Sequence, residues 1–373
     1  MKIKNILYVF LLINIVMASD IHTMEQPNEQ PSPRPYPSNL PRLLYRGHLN
    51  DESCLSNLPL ELIVKIINHT REIQNGQYLL NAIRKNYNKG EVRWLLKKTH
   101  IDVNIQDKDG HTPLYWAVRK YNPEIVSILL EKGANPDIQD KKGYTPLIWS
   151  VLYRNPEIIR ILLEKGADSD IQDKVGDTAL NFAIKNHYLE IIQILLDKGA
   201  NLNIQDKKGY TPLLLAARCN CPIARMLLDN GANPDVQDKD GNTALILAVK
   251  NDVIRKLGID VRILLNKGAN PNIQDNNSAT PLIWAAIYDN PKIVQILLNA
   301  KAEPDIQDID GWTALNWAVR NKNLEIIELL LNYGADRCTA LNLAWCLNDQ
   351  KIINLFMANE RKHVAYDVGT SGS

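Results

Sequence analysis

The sequence predicts an all-α solenoid of helix-turn-helix units joined through short β-hairpin tips, and three observations carry that prediction. Gly110, Gly143, Gly176 and Gly209 recur every 33 residues, each inside the phrase Ile-Gln-Asp-x-x-Gly-x-Thr-(Pro/Ala)-Leu. The phrase continues at altered spacing through Gly241, Ser278 and Gly311, which makes seven copies. Each copy runs into a small residue, then a branched-aliphatic and Leu-Leu stretch, then usually Gly-Ala-Asn or Gly-Ala-Asp. A unit of this length cannot bury its own apolar face, so successive units must stack.

Along the chain, Lys2 and Lys4 precede an apolar run from Ile6 to Val16, and Val16-Met17-Ala18 offers small residues for cleavage. Residues 1–18 therefore read as a Sec-type signal peptide, with the protein secreted or exported. The run is shorter than the ~20 residues that span a bilayer, so no membrane span is expected once the signal is removed. Residues 19–48 hold Pro27, Pro31, Pro33, Pro35, Pro37 and Pro41, which makes this stretch an extended linker. Residues 54–78 form a short helical segment: Ser56 or Asn57 caps it, Pro59 sits in the first turn, and Leu62, Ile63, Ile66 and Ile67 share a face. The array occupies 79–357, and residues 358–373 form a polar, Gly/Ser-rich flexible tail.

Inside each repeat, Asp-x-x-Gly reads as a hairpin tip in which Gly supplies a positive φ. Thr caps the first helix, and Pro follows at its first position in Thr112-Pro113, Thr145-Pro146, Thr211-Pro212 and Thr280-Pro281. A second helix is expected to bury aliphatics such as Ile125, Val126, Ile128, Leu129 and Leu130. Gly133, Gly166, Gly199, Gly231 and Gly268 close it in the left-handed conformation, and Lys301 takes that place once. Trp116, Trp149, Trp284 and Trp317 recur two residues after the Leu of Thr-x-Leu and read as core rather than as a binding stripe. The fourth repeat is one residue short and the fifth four long, the excess falling near residues 251–258. The half-repeats at 79–104 and from Thr339 to Met357 are expected to seal the ends of the stack.

These motifs resemble the ankyrin repeat family over roughly residues 79–357. The resemblance implies a concave groove, lined by the tips and the ends of the first helices, that grips a protein partner. The histidine that usually follows Thr-Pro-Leu is replaced by Tyr115, Ile148, Asn181, Leu214, Ile246, Ile283 and Asn316, so a hydrogen bond that normally braces the turn is missing. Separately, Leu58, Pro59, Glu61, Leu62 and Ile66 resemble the opening of an F-box, which would make residues 54–70 a dock for a ubiquitin-ligase adaptor. A plain N-terminal cap is the simpler reading of the same residues.

Composition excludes several classes of function. The net charge is +1 with 23% charged residues, so no global field points to nucleic acid or a membrane surface. Five cysteines, odd in number, do not suggest a disulfide framework, and Cys219-x-Cys221 lacks the spacing of a zinc site. Seven scattered histidines form no ligand pair, Asp107-Lys108-Asp109-Gly110 lacks the remaining ligands of a calcium loop, and no phosphate-binding loop, dinucleotide fingerprint or nucleophile elbow appears. The expectation is a non-enzymatic, monomeric scaffold without metal or cofactor.

Register then places function at the variable tip and helix-end positions. Lys108, Lys141, Lys142, Lys174, Lys207, Lys208 and Lys239 lie on tips, and Arg119, Lys120, Lys185, Arg218, Lys250 and Arg320 at helix ends. Those 13 basic residues face four acidic ones, Asp109, Asp177, Asp240 and Asp310. Tyr144, Tyr153, Tyr210, Tyr288 and Trp312 interleave with them. Cations with aromatics suit an acidic or phosphorylated protein segment. Nucleic acid is disfavoured, because no nucleic-acid-binding fold accompanies the charge.

Overall fold

A computed structural model of the chain describes residues 76–85, 89–97, 101–219, 221–255 and 261–358. The expected signal peptide, linker and F-box-like segment, and nearly all of the tail, lie outside the described residues. The opening half-repeat contributes α1 (Gln77–Arg84) and α2 (Lys89–Lys97). Three regular units follow as α3 (Pro113–Arg119) with α4 (Pro123–Glu131), α5 (Pro146–Leu152) with α6 (Pro156–Glu164), and α7 (Ala179–Lys185) with α8 (Leu189–Asp197). Then come α9 (Pro212–Cys219) with α10 (Cys221–Asp229), α11 (Ala244–Arg255) with α12 (Val261–Asn266), α13 (Pro281–Ile287) with α14 (Pro291–Asn299), and α15 (Ala314–Asn321) with α16 (Leu324–Asn332). The array ends in α17 (Cys338–Cys346) and α18, residues 350–358.

First helices pack on first helices of the next unit and second on second, so one apolar core runs the length of the stack. Leu114, Ala117, Val118, Val126 and Leu129 are fully buried, and their counterparts in the later full units are buried too. The helices are too short to be stable alone; packing of their apolar faces holds them.

Capping follows the sequence. The Thr112, Thr145, Thr178, Thr280 and Thr313 side chains each accept the amide three residues on. The second helices have caps of their own, Asn122, Asn155, Asn290 and Asn323, each accepting an amide in the first turn. The Asn-Pro pairs at residues 122–123, 155–156 and 290–291 are the sequence signal for these caps. Just before each cap the chain turns through a left-handed non-glycine residue: Tyr121, Arg154, Asp289 and Lys322 have φ between 53° and 59°. Lys301 has φ 64°, as its register requires. The added residues of the fifth repeat lengthen α11 to 12 residues, and residues 256–260 lie outside the described ones.

The tips are not β-hairpins. No strand occurs among the described residues. Each tip is a tight turn closed by two backbone bonds, as from Asp107 N to His111 O and from Gly110 N to Asp107 O. A ladder needs free amides and carbonyls on facing strands, and here side chains take them. The Asp107 Oδ1 accepts the amides of Asp109 and His111, both at 2.9 Å. Gln106 Nε2 donates to Gly110 O at 2.8 Å and to Gln139 O of the next tip at 3.1 Å. A single backbone bond joins consecutive tips, such as Lys141 N to Asp109 O at 3.0 Å.

The same glutamine bonds repeat from Gln139, Gln172, Gln205, Gln237 and Gln274, so a side-chain rail runs along the tips. This rail braces the turns that lack the family's histidine. The C-terminal half-repeat does not seal its end as expected: Trp345, at the place where Val319 is fully buried, is 53% exposed.

Candidate partner-binding face

The framework aspartate builds each tip and orients what stands on it. Asp140 accepts the amides of Lys142 (2.8 Å) and Tyr144 (3.0 Å) on Oδ1 and the indole N–H of Trp149 (2.9 Å) on Oδ2. The same indole bond joins Trp116 to Asp107, Trp284 to Asp275 and Trp317 to Asp308, nine residues apart each time. The recurrent tryptophans are thus struts between helix and tip, Trp116 buried and Trp149, Trp284 and Trp317 half-buried. At Asp107, burial favours the neutral acid, but the amides of His111 and Asp109, the His111 ring and the Trp116 N–H outweigh it and hold the carboxyl below its ordinary range.

Aromatic side chains gather in two places. Across the first three tips, His111 stacks on Tyr115 at 3.8 Å, Tyr115 meets Trp149 edge-on at 5.4 Å, and Trp149 stacks on Tyr153 at 5.4 Å. Tyr144 packs between Trp149 and Phe182. Further along, Tyr288 stacks on Trp284 and Trp312 leans on Trp317. Burial, and then the nearby carboxylates of Asp173, Asp140 and Asp177, push the Tyr144 phenol up. Burial, followed by hydrogen bonding with Tyr115, does the same to Tyr153. Tyr144, Tyr153, Tyr210, Tyr288 and Trp312 are all half-buried, so each keeps only part of its ring open to solvent.

The basic residues divide into engaged and free. Lys185 contacts both Asp177 oxygens at 2.6 Å, and Lys250 reaches Asp275 at 3.2 Å and lies over the Trp284 ring at 3.9 Å. Arg119 donates to the Tyr115 hydroxyl and covers Trp116, and Arg320 lies over Trp312 and Trp317. Lys142 extends over Tyr144 and Trp149. Lys141, Lys174, Lys207 and Lys208 are exposed, with side chains that enter no ion pair or ring contact. By contrast, three of the lysines closing second helices are paired from unit to unit, Lys165 with Glu131, Lys198 with Glu164 and Lys267 with Asp229, while Lys132 is not. The side chain of Arg218 lies outside the described residues.

The sequence-level charge count omits Asp107, Asp140, Asp173, Asp206, Asp238, Asp275 and Asp308, which form an anionic row beneath the lysines. Their recurrence marks them as framework, and only the fold shows that they share the face. Their Oδ1 atoms are taken by tip amides in every copy, so the exposed charges of the tips are the lysines together with Asp109, Asp240 and Asp310. Asp107, Asp109 and His111 bring ligand atoms within 4.8 Å of one another, but Asp107 is already engaged by two amides and Trp116, so this cluster is the tip's own bonding.

Sequence comparison matches ankyrin repeats at residues 79–173, 166–238, 223–308 and 300–367. The chain belongs to the ankyrin repeat family. Its structure is similar to the ankyrin repeat domain of Bcl-3, a member of the IkappaB protein family, with 29% identity over 60% of this chain and 99% of that one, and a TM-score of 0.53. The ankyrin repeat protein EF0377 matches at 26% identity over 46% of this chain and 90% of that one, with a TM-score of 0.43. The family match begins at residue 79, so residues 54–70, where an F-box-like opening was read, fall outside it. Ankyrin repeat proteins are characteristically non-catalytic scaffolds, and this chain is not an enzyme. Among the described residues no helix is long and apolar enough to cross a membrane.

Proposed function

We propose that this ankyrin array is a protein-binding scaffold that takes a partner segment along its tips and first-helix ends, the groove its family implies. The segment is acidic or phosphorylated. What supports this is a cluster of free cations: Lys165, Lys198 and Lys267 on the second helices are paired across units, whereas Lys141, Lys174, Lys207 and Lys208 are exposed and unpaired on the run of tips that also carries half-buried Tyr144 and Tyr210. An unpaired exposed ammonium keeps its charge for a ligand, and the exposed parts of the Tyr144, Tyr153 and Tyr210 rings add apolar contact. Residues 1–18 act as a signal that exports the scaffold to meet its partner outside the cytoplasm that makes it.

Affinity capture with residues 19–373, followed by mass spectrometry of the retained proteins, tests the reading. Retained partners should carry acidic or phosphorylated segments and elute as salt rises from 0.1 to 0.5 M, where screening shortens from ~10 Å. Retention indifferent to salt would contradict it.

A further inference from the structure

Resting on the partner-binding role proposed above, we infer that the bound segment lies along the first five tips in a polyproline-II conformation, and that its every third residue is in turn basic, acidic, apolar, acidic and basic. The tips carry two rows of side chains. The first row, directly after each framework aspartate, is uniform: Lys108, Lys141, Lys174, Lys207 and Lys239, all exposed. It stops there, since the sixth and seventh tips have Asn276 and Ile309 in that place. The second row varies: Asp109, Lys142, Val175, Lys208 and Asp240 are all exposed, Val175 by 57%. A uniform row attracts any acidic chain, whereas a row of mixed sign discriminates by pairing and by repulsion.

Backbone bonds hold the second row in line. Each of its amides donates to the Oδ1 of the framework aspartate two residues earlier, at 2.8 or 2.9 Å. Each of its carbonyls accepts an amide of the next tip, from Lys141 N to Asp109 O (3.0 Å) through to Asn276 N to Asp240 O (3.1 Å). Five side chains therefore leave the array from equivalent places, one per unit. Their order of negative, positive, apolar, positive, negative reads the same from either end, so the row sets the spacing of the segment and not its direction. In the middle unit Asp177 stands where its neighbours have Tyr144 and Tyr210, but Lys185 holds both its oxygens at 2.6 Å, so no free carboxylate interrupts the pattern.

Spacing selects the conformation. First helices of successive units pack on one another, which sets the units about 10 Å apart. A polyproline-II chain advances about 9 Å per turn of three residues, so residues i, i+3 and i+6 share one edge and keep step with the tips. A β-strand turns i and i+3 to opposite faces. An α-helix needs about seven residues per unit and drifts ~20° at each, or about 80° between the first tip and the fifth. The residues between the matched ones supply the acidic charge that the uniform lysine row attracts.

Isothermal titration of the whole chain with synthetic peptides tests the inference. One peptide places lysine, glutamate, leucine, glutamate and lysine at every third position, with proline and glutamate between; others of the same composition place them at every second or every fourth. The first should bind more than about tenfold tighter than the others. Lys142→Glu combined with Lys208→Glu should shift the preference to a peptide with lysine in the two matched acidic places, with an unchanged far-ultraviolet circular dichroism spectrum. Equal affinity for all spacings, or tighter binding of a helical peptide with the same residues at every seventh position, would overturn the inference and leave the acidic-segment groove standing. If no acidic peptide binds at any spacing, the inference falls together with the role it rests on.

Discussion

Asp107 and its counterparts do more than their place in a turn suggests: one carboxylate orders two amides and, in four of the tips, an indole. Because the Asp107 carboxyl is held below its ordinary value, the folded chain binds fewer protons there than the unfolded chain. The stability it confers is present above pH ~4 and is lost as pH falls through the lowered value. Thermal melts of the parent and Asp107→Asn should therefore differ at pH 7 and converge in acid; a constant gap would contradict the role. Glycines divide by place, which the sequence, offering only a positive φ, could not reveal. Gly166 (φ 87°) has nothing within 4 Å of a Cβ, whereas at Gly176 (φ 91°) a Cβ would lie 2.6 Å from Lys207 N and 2.8 Å from Asp206 Cα. Gly166→Ala should cost about 1 kcal/mol of strain. Gly176→Ala should cost about 3 kcal/mol or more, because backbone of the next tip must also move. Equal shifts in melting temperature would refute the distinction.

Helices were legible from the sequence because their signals are local: Thr-Pro starts, aliphatic spacing and Gly-Ala stops all lie within one unit. Tips were misread for the complementary reason. Asp-x-x-Gly looks the same whether its amides face a strand or a carboxylate, and only the neighbouring unit, 33 residues away, reveals that Gln172 Nε2 bridges Gly176 O (2.7 Å) and Gln205 O (2.8 Å). Gln172→Ala removes both bonds. It should lower stability by about 1–2 kcal/mol, read from denaturant midpoints, and no change would show that the rail does not brace the turns. The Asn caps of the second helices were legible in principle, since Asn-Pro before an aliphatic run is a helix start.

As a stack of near-identical units, the chain keeps its skeleton constant and varies what stands on it, so family and architecture were readable while the site was readable only in part. Register placed the lysines and aromatics correctly on tips and first helices. It could not show that Lys185, Lys250, Arg119 and Arg320 are engaged within the array, because those partners depend on side-chain reach. Nor could it show that Lys165, Lys198 and Lys267 are paired. The most direct test compares two variants in binding to a captured acidic partner. Reversal of Lys141, Lys174, Lys207 and Lys208 to Glu should abolish binding and leave the melting temperature nearly unchanged. Reversal of Lys165, Lys198 and Lys267 should leave binding intact and lower the melting temperature slightly, as surface ion pairs worth up to about 1 kcal/mol each turn repulsive. Equal loss of binding in both variants, or loss only in the second, would contradict a face defined by free tip lysines.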